Sequence, residues 1–195
     1  MNRTTNEIYE LMNEVVICGQ KFEPGITHFS LEWPFTQIND MRELSKLAYF
    51  PNLTSATFTG TNLDDFGLEL VSHCTMIDNL CLQETEITNQ GILHLKNLIN
   101  LKYLRLKGNL QLDDRCVLFL NHCSKLIDLQ IHETNITETG LKQLHIPGLK
   151  NIIVTIHANN FSYDFLKKRS IETPECSILA KGKGCFLNGN FEGKW

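Results

Sequence analysis

Residues 77–92, IDNLCLQETEITNQGI, and residues 126–141, LIDLQIHETNITETGL, follow one pattern. Weaker copies of the same pattern begin at Leu53, Leu101 and Ile152. The pattern therefore recurs about every 24 or 25 residues between residues 53 and 161. A fixed period of this length is typical of repeat proteins, in which each unit buries its apolar side only by stacking on its neighbours.

The apolar residues of each copy alternate with other residues, as Leu80 and Leu82 do around Cys81. Side chains of a strand point alternately to its two faces, so this spacing places the leucines in the core and the intervening residues outside. We predict one short strand per copy, at residues 28–32, 55–59, 79–83, 103–107, 128–132 and 153–157.

Each predicted strand is followed by a turn and a helical segment. Short polar side chains that can hydrogen-bond to unpaired backbone groups open the turns, at Thr61, Thr85, Asn109, Thr134 and Asn159. Thr88 and Thr137 are placed to cap the return helices, with Gly91 and Gly140 in the first helical turn. The apolar spacing of residues 92–98 then favours a helix that packs against the sheet.

This pattern resembles the leucine-rich repeat, L-x-x-L-x-L-x-x-(N/C/T)-x-L. Its T-x-I-T-x-x-G-L continuation resembles the cysteine-containing subtype found in F-box-associated and bacterial proteins. The resemblance covers residues 26–161, where the first copy, at Ile26, Phe29 and Leu31, is degenerate. It implies an α/β fold: a leucine-rich-repeat solenoid with parallel concave strands and convex helices, capped at both ends. It also implies a protein-binding module, because proteins of this kind usually hold another macromolecule.

The two ends of the chain depart from the pattern. Residues 1–25 are predicted to form an N-terminal helical cap, because residues 5–18 have the spacing of an amphipathic helix. Residues 162–195 leave the repeat, and we interpret them as a C-terminal cap, for which a hairpin is one form. The aromatic residues of its Gly-rich end would then cover the last repeat. A flexible tail is the alternative for this segment.

Composition limits the classes of function. The 195 residues include 22 acidic and 18 basic ones, which gives a formal net charge of −4. Nucleic-acid-binding proteins usually carry a basic face instead. The short apolar run at residues 15–18 predicts neither a signal peptide nor a membrane span. We therefore expect a cytoplasmic protein that binds neither nucleic acid nor membrane.

Residues that could carry chemistry have simpler structural roles. The Asp-Asp pairs at residues 64–65 and 113–114 fall where helices begin, and acidic side chains there complement the helix dipole. Cys74 and Cys123 each follow a histidine, but two repeats separate these pairs too far for one tetrahedral metal site. The sequence has no nucleophile elbow, phosphate loop or zincin helix. We therefore predict no metal, no cofactor and no enzymatic activity.

The outward positions of the predicted strands form columns, which we interpret as the binding face. These columns place charges of both signs beside tyrosine and arginine side chains, which are frequent interface anchors. His132 and His157 fall in one column and would form a polar recognition patch. Trp33 is either an exposed apolar contact or part of the cap. The predicted partner-binding residues are Trp33, Asn79, Gln83, Glu84, Tyr103, Arg105, Lys107, Asp128, Gln130, His132, Glu133 and His157.

Three functions fit this architecture. We favour a dedicated inhibitor, such as a bacterial immunity protein that binds and neutralises a cytosol-acting toxin through the concave face. The alternative is a substrate-recognition or adaptor subunit of a ubiquitin ligase, although the N-terminal segment lacks an F-box motif of the form L-P-x-E-I. The third is an enzyme or host-directed effector that uses the C-terminal segment.

Overall fold

The computed structural model describes residues 14–31, 36–157 and 160–195. Its main element is a nine-stranded sheet whose strands lie side by side in chain order. The strands are β3 (His28–Ser30), β4 (Ser55–Thr57), β5 (Asn79–Cys81), β6 (Tyr103–Arg105), β7 (Asp128–Gln130), β8 (Asn151–Thr155), β9 (Ser177–Lys181), β10 (Gly184–Leu187) and β11 (Asn190–Gly193). Strands β3 to β9 are parallel, whereas β10 and β11 are antiparallel to their neighbours. The predicted mixed α/β class with a long parallel sheet is therefore confirmed.

Short helices connect the parallel strands. The α-helices are α1 (Asp65–Val71), α2 (Val117–Leu120), α3 (Glu138–Gln143) and α4 (Tyr163–Glu172). The 3-10 helices are Met41–Tyr49, Gly91–Asn97 and Asp114–Cys116. Ile92, Leu95 and Leu98 are all buried, and their spacing of three suits a 3-10 helix because residues i and i+3 share one side of it. No helix in the described ranges is both long and apolar enough to cross a membrane.

The inward-facing residues of neighbouring strands are in register. Leu80 of β5 pairs with Leu104 of β6, which pairs with Leu129 of β7, and all three are almost completely buried. The next inward position is also buried in each copy, at Leu82, Leu106 and Ile131. The predicted inward and outward phase of β5 to β7 is therefore confirmed. Burial of these aliphatic rows is the main favourable contribution to the stability of the sheet.

Buried polar side chains hold the turns that follow strands β4 to β7. In three turns a threonine hydroxyl donates to the carbonyl oxygen three residues earlier, in Thr61, Thr85 and Thr134. Asn109 is fully buried and donates to the carbonyl oxygens of Leu82 and Leu106, at 2.7 and 2.9 Å. The predicted role of these four residues is confirmed, and Asn159 lies outside the described residues.

The register of the last predicted repeat differs from the expectation. Gln130 pairs with Ile153, whereas the sequence pattern placed Thr155 beside it. The same shift of two residues separates His157 from His132, so the predicted histidine column is wrong. Apolar residues alternate along the whole of β8 and just beyond it. A slip of two residues keeps the same face inward, so the pattern alone does not distinguish the two registers.

A separate two-stranded hairpin precedes the nine-stranded sheet in the chain. Its strands are β1 (Val15–Ile17) and β2 (Gln20–Phe22), which pair antiparallel. Cys18 and Gly19 between them have φ values of 50° and 80°, as the two-residue turn of a hairpin requires. The predicted amphipathic helix is therefore wrong over β1, where burial alternates with period two. The remainder of that helix, residues 5–13, lies outside the described residues.

Residues 162–195 continue the sheet. Strand β9 pairs in parallel with β8 and buries Ile178 and Ala180, so helix and strand alternate beyond residue 161, where the prediction ended the pattern. Strands β10 and β11 then form an antiparallel hairpin. The ring of Tyr163 packs edge-on at 5.2 to 5.3 Å against Phe186, Phe191 and Trp195. These aromatic contacts hold the C-terminal hairpin against the start of α4.

Candidate protein-binding face

One face of the sheet is buried in the core and the other is open. Since alternate residues of a strand point to opposite sides, the residues between the buried ones form this open face. One row across the strands reads Ser55, Asn79, Tyr103, Asp128 and Asn151. The adjacent row reads Thr57, Cys81, Arg105, Gln130, Ile153 and Leu179. Parallel pairing thus brings together side chains that are one repeat apart in sequence.

A cavity of about 320 Å³ lies in the middle of the open face. Five of the predicted partner-binding residues line it together: Asn79, Tyr103, Arg105, Asp128 and Gln130. Cys81 and Leu104 complete the lining. The cavity spans strands β5 to β7, the part of the sheet where the sequence pattern is clearest. We name it the central cavity.

The guanidinium of Arg105, in the central cavity, has hydrogen-bond donors without partners among the described residues. No hydrogen bond or ion pair of its guanidinium occurs within the described residues, and its Nε is buried without a partner. Asp128, by contrast, accepts a hydrogen bond from the side-chain amide of Gln130 at 3.1 Å. A guanidinium offers five N–H donors and no acceptor. Arg105 therefore presents unused donors to whatever enters the cavity.

Oppositely charged side chains alternate along one edge of the open face. The Nζ of Lys107 lies 3.6 Å from a carboxylate oxygen of Glu84 and 3.6 Å from one of Glu133. Lys181 donates to Glu133 at 2.8 Å, and this bond holds the pKa of the Glu133 carboxyl below its usual value. Gln83 donates to Glu84 at 2.8 Å. We call these five residues the charge ladder, and each of them contacts at least one other member.

The two glutamates of the charge ladder have a backbone conformation that favours glycine. Glu84 and Glu133 have φ values of 54° and 60°. Gly60 and Gly108 occupy the equivalent turns of neighbouring repeats, with φ values of 67° and 78°. A residue with a side chain pays about 1 kcal/mol for this left-handed conformation. Strain of this kind persists only where surrounding contacts hold it in place.

His132 is almost completely buried, although the sequence pattern placed it on the outward face among the partner-binding residues. Only 4% of its surface is exposed, and its Nδ1 is buried with no hydrogen-bond partner. Burial lowers the pKa of His132 to about 4, and the positive charge of Lys181 acts in the same direction. The ring is therefore neutral at physiological pH.

His157 belongs to neither the central cavity nor the charge ladder. His157 follows β8 and is exposed, and its backbone N–H is bonded to the side chain of Asn160 at 2.9 Å. Trp33 lies outside the described residues, so its role stays a prediction.

Sequence reasoning missed the contribution of the C-terminal strands to the open face. Lys181 extends the charge ladder, and Ile153, Leu179 and Leu187 add aliphatic side chains. They were missed because the pattern was ended at residue 161 and the register of β8 was shifted. A usable signal was present, since residues 177–181 alternate like the earlier strands and lie about one repeat length after β8.

The Asp-Asp pairs connect neighbouring repeats. The first aspartate of each pair caps the helix that begins there. The carboxylate of Asp65 accepts from the backbone N–H and the hydroxyl of Thr88 in the next repeat, at 2.7 and 2.6 Å. Asp114 accepts from the same two groups of Thr137, both at 2.7 Å. We call each such contact a carboxylate clamp.

The seven cysteines are free thiols. Burial raises the pKa of Cys74 to about 11 and that of Cys123 to about 12, so both stay protonated. A protonated thiol is a poor nucleophile and a poor metal ligand. Across the described ranges, no group of three or more His, Cys, Asp or Glu side chains is placed to hold a metal ion.

Known proteins match this chain through structure and not through sequence. A scan against protein-family models and a search of curated proteins both find no match. Among solved structures, an internalin from Listeria monocytogenes is similar, with a TM-score of 0.54 at 17% sequence identity. The match covers 80% of this chain and 42% of the internalin, so this chain spans less than half of that protein. Because internalins are leucine-rich-repeat proteins, this chain has a leucine-rich-repeat-like α/β fold.

Proposed function

We propose that this chain is a non-enzymatic protein-binding module, built as a capped leucine-rich-repeat solenoid, whose open face is concave and holds a protein partner. The observation that carries the proposal is the central cavity, where five predicted binding residues meet around a guanidinium with unused donors. The leucine-rich-repeat-like fold supports it, because such folds present one sheet face as an extended surface.

The proposed partner is a toxin that acts in the cytosol, which makes the chain a dedicated inhibitor of the immunity-protein type. The charge ladder supports a specific partner, because fixed charges of both signs reject surfaces whose charges do not match. The side chains of the ladder are already held by one another, so little ordering would accompany binding.

Affinity purification of the tagged protein from its own cells, followed by mass spectrometry, tests this function. Arg105→Glu is the test variant, and Lys96→Glu is the matched control because Lys96 is exposed on the helical side, in the 3-10 helix Gly91–Asn97. We expect one stoichiometric partner with the native chain and with Lys96→Glu, and its loss with Arg105→Glu. Co-expression should then relieve the toxicity of that partner.

Two outcomes would count against the proposal. Capture of the same proteins by the native chain and by Arg105→Glu would show that the open face is not the binding surface. Capture of a cullin-ligase adaptor with several substoichiometric proteins would favour the ubiquitin-ligase alternative over the inhibitor.

A further inference from the structure

The open face carries an aliphatic patch that no predicted binding residue belongs to. The row that contains Arg105 continues through Gln130 to Ile153 on β8 and Leu179 on β9. Leu179 is 39% exposed, and Leu187, on the neighbouring β10, is 48% exposed. Large aliphatic side chains grouped on an open sheet surface commonly mark an interaction site. We name Ile153, Leu179 and Leu187 the aliphatic patch.

Two members of the aliphatic patch, Ile153 and Leu179, lie on one line with Arg105 across the strands. Arg105 is on β6 and Leu179 is on β9, and each strand between them is paired with its neighbours. Strands in a sheet are about 4.8 Å apart, so three spacings separate the two side chains by roughly 14 Å. One short segment of a partner can therefore contact both.

One positively charged side chain near this line has no carboxylate partner among the described residues. Lys107 and Lys181 are both paired with glutamates of the charge ladder. Asp128 accepts a hydrogen bond from Gln130. Among the described residues of the open face, Arg105 is the cation that has no carboxylate partner. Complementarity therefore calls for an anionic group in the central cavity.

We propose that the occupant is an extended segment of a partner protein that crosses the strands, with an acidic residue in the central cavity and a large apolar residue on the aliphatic patch. An extended chain advances about 3.3 Å per residue, so the two residues are about four positions apart. Residues an even number of positions apart in an extended segment also point to the same side. This inference rests on the proposed binding function and adds the chemistry of the partner.

Selection from a phage-displayed library of random peptides tests whether the partner segment carries this acidic and apolar pair. The peptides are roughly 12 residues long, so that in extended form they span the row that contains Arg105 and Leu179. The bait is the full chain. Parallel selections use Arg105→Gln, Leu179→Asn and the charge-matched control Lys96→Gln. We expect peptides selected by the native chain and by Lys96→Gln to carry Asp or Glu four positions from a large apolar residue. Selection on the other two variants should not enrich this motif.

A double-mutant comparison then assigns the acidic residue to Arg105. Replacing the acid of a selected peptide by its amide should weaken binding to the native chain about 10-fold, since a hydrogen bond to a charged group is lost. The same replacement should change binding to Arg105→Gln by less than about 2-fold, because the two changes remove one interaction. Equal losses with both baits would overturn the proposal.

Failure of the inference and failure of the proposed function give different results. Selected peptides whose binding depends on Arg105 and Leu179, but which lack the acidic and apolar pair, would refute the inference and leave a binding face. Selected peptides unaffected by both substitutions would refute the function as well. A selection that enriches no peptide on the native chain would refute the inference, while the affinity purification decides the function separately.

Discussion

At the scale of single residues, the turns that follow strands β4 to β7 each contain a residue with positive φ, a conformation that glycine adopts more easily than glutamate. Gly60 and Gly108 meet the need for positive φ without strain, whereas Glu84 and Glu133 meet it with a side chain that enters the charge ladder. The sequence could not reveal this backbone conformation, because glutamate in a polar turn is unremarkable. Only the φ values identify the strained positions.

Replacement of Glu84 by glycine is expected to stabilise the fold. Relief of left-handed strain contributes about 1 kcal/mol, and loss of the exposed ion pair with Lys107 removes less than that. Glu84→Ala is the matched control, because it loses the ion pair and keeps the strain. The urea concentration at the midpoint of unfolding should be higher for Glu84→Gly than for the native chain, and lower for Glu84→Ala. If the two variants unfold at the same urea concentration, the strain is absent.

The buried His132 predicts how stability depends on pH. Its folded-state pKa, about 4, lies below the ordinary value near 6.5, so the unfolded state takes up a proton first as the pH falls. The contribution of neutral His132 to the free energy of unfolding is therefore fully present above pH 6.5, and it is lost as the pH falls from 6.5 to 4. Melting temperatures of His132→Gln should decline less over this window than those of the native chain. The exposed His122→Gln is the control and should follow the native curve.

At the scale of elements, the phase of the strands is the decisive property. Leu129 on β7 is fully buried, whereas Arg105 on β6 faces the central cavity. Leu129→Asp places an uncompensated charge in the core and should cost on the order of 4 kcal/mol. Arg105→Glu should leave the fold intact. Circular dichroism melts of the two variants compare them directly, and similar losses of melting temperature would show that the assigned faces are wrong.

The elements that the sequence predicted are those where alternation and turn chemistry agree. Strands β5 to β7 combine both, so their phase and most of the central cavity could be predicted. The hairpin of β1 and β2 was missed because the apolar residues between positions 5 and 18 also fit a helical period. Residues 15–17 alone are too few to separate a period of two from one of 3.6. The register of β8 was missed because a two-residue slip preserves its inward face.

At the scale of the whole molecule, carboxylate clamps tie together two pairs of neighbouring repeats. Asp65 accepts from Thr88 of the next repeat, and Asp114 accepts in the same way from Thr137 of the repeat that follows it. A Cβ on Gly91 would lie 2.2 Å from Oδ1 of Asp65. The glycine that the sequence pattern places at this position is therefore required by the clamp of the preceding repeat.

Gly91→Ala should destabilise the chain by about 1–3 kcal/mol, because the new methyl group displaces the Asp65 carboxylate. Gly25→Ala is the control, since no atom lies within 4 Å of a Cβ there. Chemical denaturation measures both variants. Adding Asp65→Ala to Gly91→Ala should cost less than the sum of the single changes, because both act on one clamp. Strict additivity would mean that the glycine serves another purpose.

Strand β11 ends the sheet, and within the described part of the chain its far edge has no neighbouring strand. The N–H and C=O groups along that edge can pair with a strand of another molecule. Its length of four residues and the exposed Glu192 and Lys194 limit such pairing. Pairing of this edge with another molecule therefore depends on a few residues of β11, which lie outside residues 26–161 that the sequence pattern covers.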